Sequence, residues 1–322
     1  MRRDAIASLP LLDPSPFADP AARPLDPAKF RDPFVTAKGE ARAHVALERL
    51  ETLWINTGTL CNLACKTCYI ESSPRNDALV YLTAAEATRY LDEAERLGTR
   101  EIGFTGGEPF MNRDAPAMIA SALARGFEVL VLTNAMRPMR RFEAELAALP
   151  RERLTFRVSL DHHSPPVHEA ERGAGTWDKA LDGLRWLHAG GFRIAVAGRS
   201  LKGEDQAEAR AGYERLFASI GIPAATPLVL FPEMDASADV PEITEACWDI
   251  LHVPPSAMMC ASSRMVVKAR GAERPHVVAC TLLPYDPQFA LGETLAGAGG
   301  KVMLNHPHCA RFCVLGGASC SA

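Results

Sequence analysis

The sequence predicts an α/β fold, an incomplete (β/α)6 barrel followed by a small C-terminal domain. Between residues 51 and 235, apolar strand-like segments alternate with helical segments. Apolar strands that alternate with helices indicate a parallel sheet that is covered on both faces. Beyond residue 235 prolines become frequent and the helical segments become short. We therefore expect an N-terminal extension over residues 1–50, a partial barrel over 51–235 and a second domain over 236–322.

The elements of the partial barrel can be assigned in chain order. The strand candidates are ETLWINTG, REIGFTG, FEVLVLTNA, RLTFRVSLD, FRIAVAGRS and ATPLVLFPEM. The helix candidates are TAAEATRYLDEAERLG, DAPAMIASALARG, RRFEAELAAL, WDKALDGLRWLHAGG and EDQAEARAGYERLFASIG. In the first helix Thr83 is placed as the N-cap, Glu86 stands at capping-box spacing and Gly98 fits the end. In the second domain, RMVVKARGAERPHVVAC predicts a β-hairpin around Gly271.

Length, composition and charge exclude some classes of function. The 322 residues can bury a sizeable core, and 48% hydrophobic with 23% charged residues is ordinary for a soluble globular protein. A formal charge of -4 gives no reason to expect a nucleic-acid or membrane-surface partner. No apolar run approaches the ~20 residues of a membrane span. Arg2 and Arg3 precede a short apolar run, but no small-residue cleavage site follows, so we expect a cytoplasmic protein.

In a cytoplasmic chain, nine cysteines indicate metal or redox chemistry rather than structural disulfides. Cys61, Cys65 and Cys68 follow the first strand, and catalytic groups of β/α barrels lie at such strand ends. A structural zinc site usually has four ligands in paired C-x2-C units, and only three thiols lie here. Three thiolates on a four-iron cluster would leave one iron open to a small molecule.

Two motifs make a resemblance to a known family specific. Cys61-x3-Cys65-x2-Cys68 is followed by Tyr69, and the second strand ends in the sequence GGEP, residues 106–109. Together they resemble the radical S-adenosylmethionine (SAM) superfamily. The resemblance implies that the three cysteines hold a 4Fe–4S cluster whose open iron chelates SAM. A reductant such as flavodoxin or ferredoxin would supply an electron, SAM would be cleaved, and a 5′-deoxyadenosyl radical would abstract a substrate hydrogen.

Residues beside these motifs are candidate SAM contacts. Tyr69 can lie against the adenine ring, although a core tyrosine is the alternative. Gly106 and Gly107 let the backbone pass close to a ligand. A carbonyl there, with Glu108 nearby, suits the cationic amino group of SAM.

The remaining strand ends supply further candidates. Ser159 and Asp161 could hydrogen-bond the ribose hydroxyls, and Arg199 could pair with the SAM carboxylate. Asn134 could contact either SAM or the substrate. For each of these residues a helix cap or a loop hydrogen bond is the alternative.

Further cysteines lie around the predicted hairpin and at the C-terminus. Their pattern resembles the twitch and SPASM extensions of the radical SAM superfamily, which carry auxiliary 4Fe–4S clusters. A full SPASM domain supplies seven cysteines, so one auxiliary cluster is the better count for this chain. The first-choice ligands are Cys260, Cys280, Cys309 and Cys313, with Cys320 as a spare or a swap. A zinc site from the same thiols is the alternative, and we expect Cys247 to be a buried structural thiol.

The leading functional hypothesis is a radical SAM oxidoreductase that performs a net oxidation of a small molecule. A fully ligated auxiliary cluster would serve as its electron relay. Maturation of a ribosomal peptide or protein is the alternative within the family. A non-catalytic iron–sulfur electron carrier is the alternative of a different class, but such a carrier has no need of the GGEP motif. No residue identifies the substrate.

Overall fold

The computed structural model describes residues 26, 28–201, 203–232 and 239–317. Its strands are β1 His44–Val45, β2 Thr52–Asn56, β3 Glu101–Thr105, β4 Glu128–Thr133, β5 Leu154–Ser159, β6 Arg193–Ser200, β7 Leu228–Pro232, β8 Ser263–Val267, β9 His276–Val278, β10 Ala290–Gly292 and β11 Val302–Met303. Its α-helices are α1 Ala84–Arg96, α2 Ala115–Ala124, α3 Arg137–Arg140, α4 Glu143–Ala147, α5 Pro165–Arg172, α6 Trp177–Ala189, α7 Gln206–Ser219 and α8 Cys247–Leu251.

Strands β2 to β7 form the partial barrel. Each pairs in parallel with the next strand along the chain, beginning with Thr52 opposite Glu101. In the described part of the chain the sheet runs in the order β10-β9-β8-β2-β3-β4-β5-β6-β7, so β7 and β10 are its edges and the barrel is not closed. The predicted incomplete barrel and its six strands are confirmed.

The helices follow the sequence prediction with two differences. Thr83 and Glu86 form a complete capping box at the start of α1, and Gly98, with φ +72°, follows its end. The segment predicted as one helix over RRFEAELAAL, residues 140–149, contains only the shorter α4, and α3 ends at its first residue, Arg140. Helix α5 was not predicted: it starts at Pro165 and Pro166, where the missing N–H groups cost nothing because the first turn has no partner for them.

The C-terminal segment is joined to the barrel by hydrogen bonds. The predicted hairpin is confirmed as the antiparallel pair β8–β9, and β8 lies parallel to β2. The extension at the start of the chain also meets this segment, because β1 pairs with β11 and buried Arg42 forms an ion pair with Glu242 at 2.5 Å. The predicted boundary between residues 235 and 236 lies outside the described residues.

Two apolar layers enclose the sheet. One lies between the sheet and helices such as α1, α2 and α6, and the other fills the barrel interior and continues into the C-terminal segment. Trp54 belongs to the inner layer and packs on Gly103, where a Cβ would lie 2.3 Å from the indole. Among the described residues, no helix is both long enough and apolar enough to cross a lipid bilayer.

Candidate active site

The three clustered cysteines lie in the loop that follows β2. Cys61, Cys65 and Cys68 line one cavity of about 190 Å³ at the carboxyl ends of the strands. Burial, and next the charge of Glu108, raises the pKa of Cys61 to about 12. Burial also raises the pKa of Cys65, and the charge of Arg172 opposes part of that rise. Metal ions bind thiolates, so a metal at this loop must displace protons.

The two glycines of the GGEP turn bring β3 against the cysteine loop. Gly106 has φ +137°, and a Cβ there would lie 2.5 Å from the Gly58 carbonyl oxygen. A Cβ on Gly107 would lie 2.4 Å from the Leu60 carbonyl oxygen. Both glycines line the cavity, so the backbone itself forms this part of its wall.

Glu108 does not line the cavity. Its carboxylate accepts hydrogen bonds from the Asn134 amide at 2.8 Å, the Thr133 hydroxyl at 2.9 Å and the Phe110 amide at 3.3 Å. Burial raises the pKa of Glu108 to about 7, although these hydrogen bonds oppose the rise. The carboxylate therefore fixes the end of β4, and its contact with a SAM amino group stays a prediction.

Three other candidates line the cavity. Asn134 follows β4, and its side-chain amide donates to Asn62 Oδ1 at 2.9 Å. Ser159 ends β5. The ring of Tyr69 packs edge-on against Phe312, with centroids 5.5 Å apart, so these rings form an aromatic wall.

Asp161 and Arg199 also line the cavity and pair with each other. Arg199 Nε lies 3.2 Å from Asp161 Oδ1, and Arg172 Nε lies 2.8 Å from Asp161 Oδ2. Burial would raise the pKa of Asp161, but the two guanidinium groups hold it below its usual range. Asp161 thus neutralises arginines in this structure, and its predicted contact with ribose stays a prediction.

One donor of Arg199 remains available. Its Nη2 donates to the Thr67 carbonyl at 3.0 Å, and its guanidinium lies 5.1 Å from the centroid of the Tyr69 ring. Its Nη1 is buried and has no hydrogen-bond partner among the described residues. A buried donor of this kind is costly unless a ligand satisfies it, and a carboxylate would do so.

The sequence reasoning missed Arg157 and Arg172, which both line the cavity. Arg157 could have been found, because it stands two positions before Ser159 on the same strand and alternate residues share a face. Arg172 ends α5, a helix that the sequence did not indicate.

Four C-terminal cysteines line a second cavity of about 20 Å³. They are the first-choice ligands Cys260, Cys280, Cys309 and Cys313, and the other walls are mostly apolar. Burial raises the pKa of Cys260 to about 11 and that of Cys309 to about 12. Cys320 lies outside the described residues. Cys247 is half-buried rather than buried, and its sulfur lies 3.4 Å from the Thr244 amide, so the expectation of a buried thiol was wrong.

Comparisons with known proteins show which sequences and folds this chain is similar to. A model of the radical SAM superfamily matches residues 55–210. The mycofactocin maturase MftC of Mycobacterium tuberculosis (strain CDC 1551 / Oshkosh) is 32% identical over 132 residues, covering 41% of this chain and 33% of MftC. A GTP 3',8-cyclase of Tolumonas auensis is 31% identical over 151 residues, covering 45% of this chain and 43% of the cyclase.

The chain thus spans less than half the length of either relative. The structure of native anSMEcpe with bound AdoMet is similar with a TM-score of 0.56 at 12% identity, over 77% of this chain and 79% of that one. At this identity the likeness shows the fold alone.

Proposed function

We propose that this chain, whose residues 55–210 belong to the radical SAM superfamily, is an enzyme that cleaves SAM reductively to activate a substrate C–H bond. One observation carries the proposal. The cysteine loop, the close-packed glycines and the unsatisfied Nη1 of Arg199 all lie on a single cavity at the carboxyl ends of the barrel strands.

The residues present fit a 4Fe–4S cluster with SAM. Cys61, Cys65 and Cys68 supply three soft ligands, which leaves one iron for the amino and carboxylate groups of SAM. When bound, the cluster supplies the electron that cleaves SAM and so yields a 5′-deoxyadenosyl radical able to abstract hydrogen. The reductant is a flavodoxin- or ferredoxin-type protein.

The chain's own residues bind and orient SAM. Arg199 donates from Nη1 to the SAM carboxylate, and the backbone at Gly106 and Gly107 receives the amino group. Tyr69 packs against the adenine, while Asn134 and Ser159 are within the same cavity for hydrogen bonds. Apolar side chains complete the walls and exclude water: Leu132, Phe231, Leu282 and Phe312.

The set of four thiols around the second cavity, rather than the volume of that cavity, supports an auxiliary 4Fe–4S cluster within a C-terminal domain over residues 236–322. The thiols of Cys260, Cys280, Cys309 and Cys313 share that cavity, and Leu282 lines both cavities. Four protein ligands close the cluster to substrate and suit an electron relay, so the reaction is a net oxidation.

The substrate of this proposed reaction is a small molecule. The walls of the cavity beside the proposed SAM site include Leu132, Phe231 and Arg157, and such apolar and basic walls suit a compact ligand. The similarity to MftC, which is named a maturase, favours a second candidate, the modification of one residue of a peptide. The two candidates are separated by turnover with deuterated cell extract that has been fractionated by size. Deuterium should enter 5′-deoxyadenosine from the fraction smaller than a short peptide if the substrate is a small molecule, and from the larger fraction if it is a peptide.

The activity itself is tested by SAM cleavage. Anaerobically reconstituted chain with dithionite and SAM should release 5′-deoxyadenosine and methionine. Replacement of all three cysteines of the loop by alanine should abolish release, while Cys247→Ala, which changes a thiol outside both cavities, should not. Undiminished cleavage in the triple variant would refute the assignment. Cluster reduction without any SAM cleavage in the wild type would favour the electron carrier instead.

A further inference from the structure

The end of helix α5 is tied to the cysteine loop. The Lys66 amide donates to the Glu171 carbonyl at 2.9 Å, and the Thr67 hydroxyl donates to Glu171 Oε2 at 2.7 Å. These bonds hold the loop between Cys65 and Cys68 from one side. The next residue along the helix is Arg172, whose position relative to the loop is therefore fixed by its neighbour.

Arg172 brings a positive charge to the thiols. Its side chain is 11% exposed and lines the cavity together with Cys61 and Cys65. Asp161, whose Oδ2 lies 2.8 Å from Arg172 Nε, lines the same cavity and brings a negative charge to it. Asp161 is shared between Arg172 and Arg199, so a single carboxylate faces two guanidinium groups and positive charge remains.

We propose that Arg172 tunes the redox potential of the cluster held by the cysteine loop, making the cluster easier to reduce. The inference rests on the proposed function of that loop. Reduction adds one electron to the cluster and removes it from the reductant, with no bond formed or broken. Local charge is one of the factors that set such potentials, and a nearby cation favours the more negative, reduced form.

The test is a potentiometric titration of the reconstituted chain without SAM or substrate, followed by electron paramagnetic resonance. The signal of the loop cluster is identified as the one that disappears when Cys61, Cys65 and Cys68 are all replaced by alanine. In Arg172→Gln the ratio of reduced to oxidised cluster at a fixed potential should fall about tenfold, which is 59 mV for a one-electron couple. Arg172→Lys, which keeps the charge, should stay near wild type.

Asp161→Asn gives the decisive contrast. It removes a negative charge from the same network, so the ratio should rise rather than fall. Arg185→Gln, which removes an exposed arginine of α6, should change nothing. Thr67→Val removes the hydrogen bond to Glu171 without changing any charge beside Cys65, and should shift the potential less than Arg172→Gln.

The outcomes separate this inference from the proposed function. Shifts of the same sign in Arg172→Gln and Asp161→Asn, or no shift in either, would overturn the inference, because loosened structure rather than charge would then set the potential. If Arg172→Gln does not retain its cluster, Asp161→Asn alone tests the inference: a rise in the ratio of reduced to oxidised cluster supports it, and a fall or no change overturns it. If the wild-type chain gives no electron paramagnetic resonance signal that depends on the three loop cysteines, the proposed function is refuted instead.

Discussion

Replacement of Glu108 by alanine should weaken SAM binding by about ten- to a hundredfold. The carboxylate accepts hydrogen bonds from Thr133 and Asn134, which both line the cavity. Losing a hydrogen bond to a charged group costs about 1.5–3 kcal/mol. Because SAM binding would have to restore the order that these bonds give to the end of β4, the cost appears in the SAM affinity, where about 1.4 kcal/mol corresponds to a factor of ten. The variant lacks the carboxylate that holds Thr133 and Asn134 in place, so this part of the SAM site is less well ordered.

Calorimetric titration of SAM into the anaerobic chain measures the effect. Glu101→Gln is the matched control, since it changes a partly buried carboxylate at the start of β3, the strand that precedes Glu108, and this carboxylate does not line the cavity. Circular dichroism establishes that both variants keep the fold. An unchanged SAM dissociation constant in a folded Glu108→Ala variant would show that this carboxylate does not shape the site.

The same residue predicts a pH dependence of stability. Burial raises the pKa of Glu108 from an ordinary 4.5 to about 7, so the folded chain holds this proton more tightly than the unfolded chain. The stabilising contribution is complete below pH 4.5 and is lost as the pH rises to about 7, a change of about 3 kcal/mol. Glu108→Gln cannot titrate, so its free energy of unfolding should fall less between pH 5 and 8. Parallel profiles for both chains would contradict the assigned pKa.

Three further variants test the rest of the site. Iron analysis should give about eight irons per chain in wild type, the sum of two four-iron clusters, and about four in the double variant Cys260→Ala with Cys280→Ala. The C-terminal segment of the double variant should also become sensitive to protease. A wild-type content of about four irons and one zinc would contradict the auxiliary cluster. Arg199→Ala should weaken SAM binding about tenfold or more and Arg199→Lys partly restore it, whereas equal affinities would exclude a contact with the carboxylate. Gly107→Ala should lower the iron content of the loop cluster, since its Cβ would lie 2.4 Å from the Leu60 carbonyl oxygen. Gly299→Ala is the control, because nothing lies within 4 Å of a Cβ at that position. Equal iron content in both variants would contradict the close packing.

The strands and the cysteine loop were predictable because their signals are local. Each barrel strand is a short apolar run between helices, and the β2 residues Thr52–Asn56 are all buried, as that pattern requires. The rule that barrel chemistry lies at the carboxyl ends then places Cys61, Gly106 and Ser159 together without knowledge of the coordinates. All three line the same cavity.

The electrostatics of the site were not predictable, because they depend on contacts between distant parts of the chain. Asp161 meets Arg199, 38 positions away, and Arg172, which comes from a helix that begins with two prolines. The orientation of Glu108 depends on the backbone amide of Asn134, which is 26 positions away and directly follows the next strand, β4. A sequence motif predicts which residues lie at a strand end, but it does not predict which of them form hydrogen bonds or ion pairs with one another.

The covalent chain itself connects the two proposed redox centres. Cys280 lines the second cavity, Thr281 lines the first, and Leu282 lines both. These residues follow β9, and its partner β8 is hydrogen-bonded to β2, the strand that ends at the cysteine loop. The sheet rather than a linker therefore sets the distance between the cavities. Leu282, which lines both cavities, therefore lies between a substrate in the first cavity and the thiols of the second.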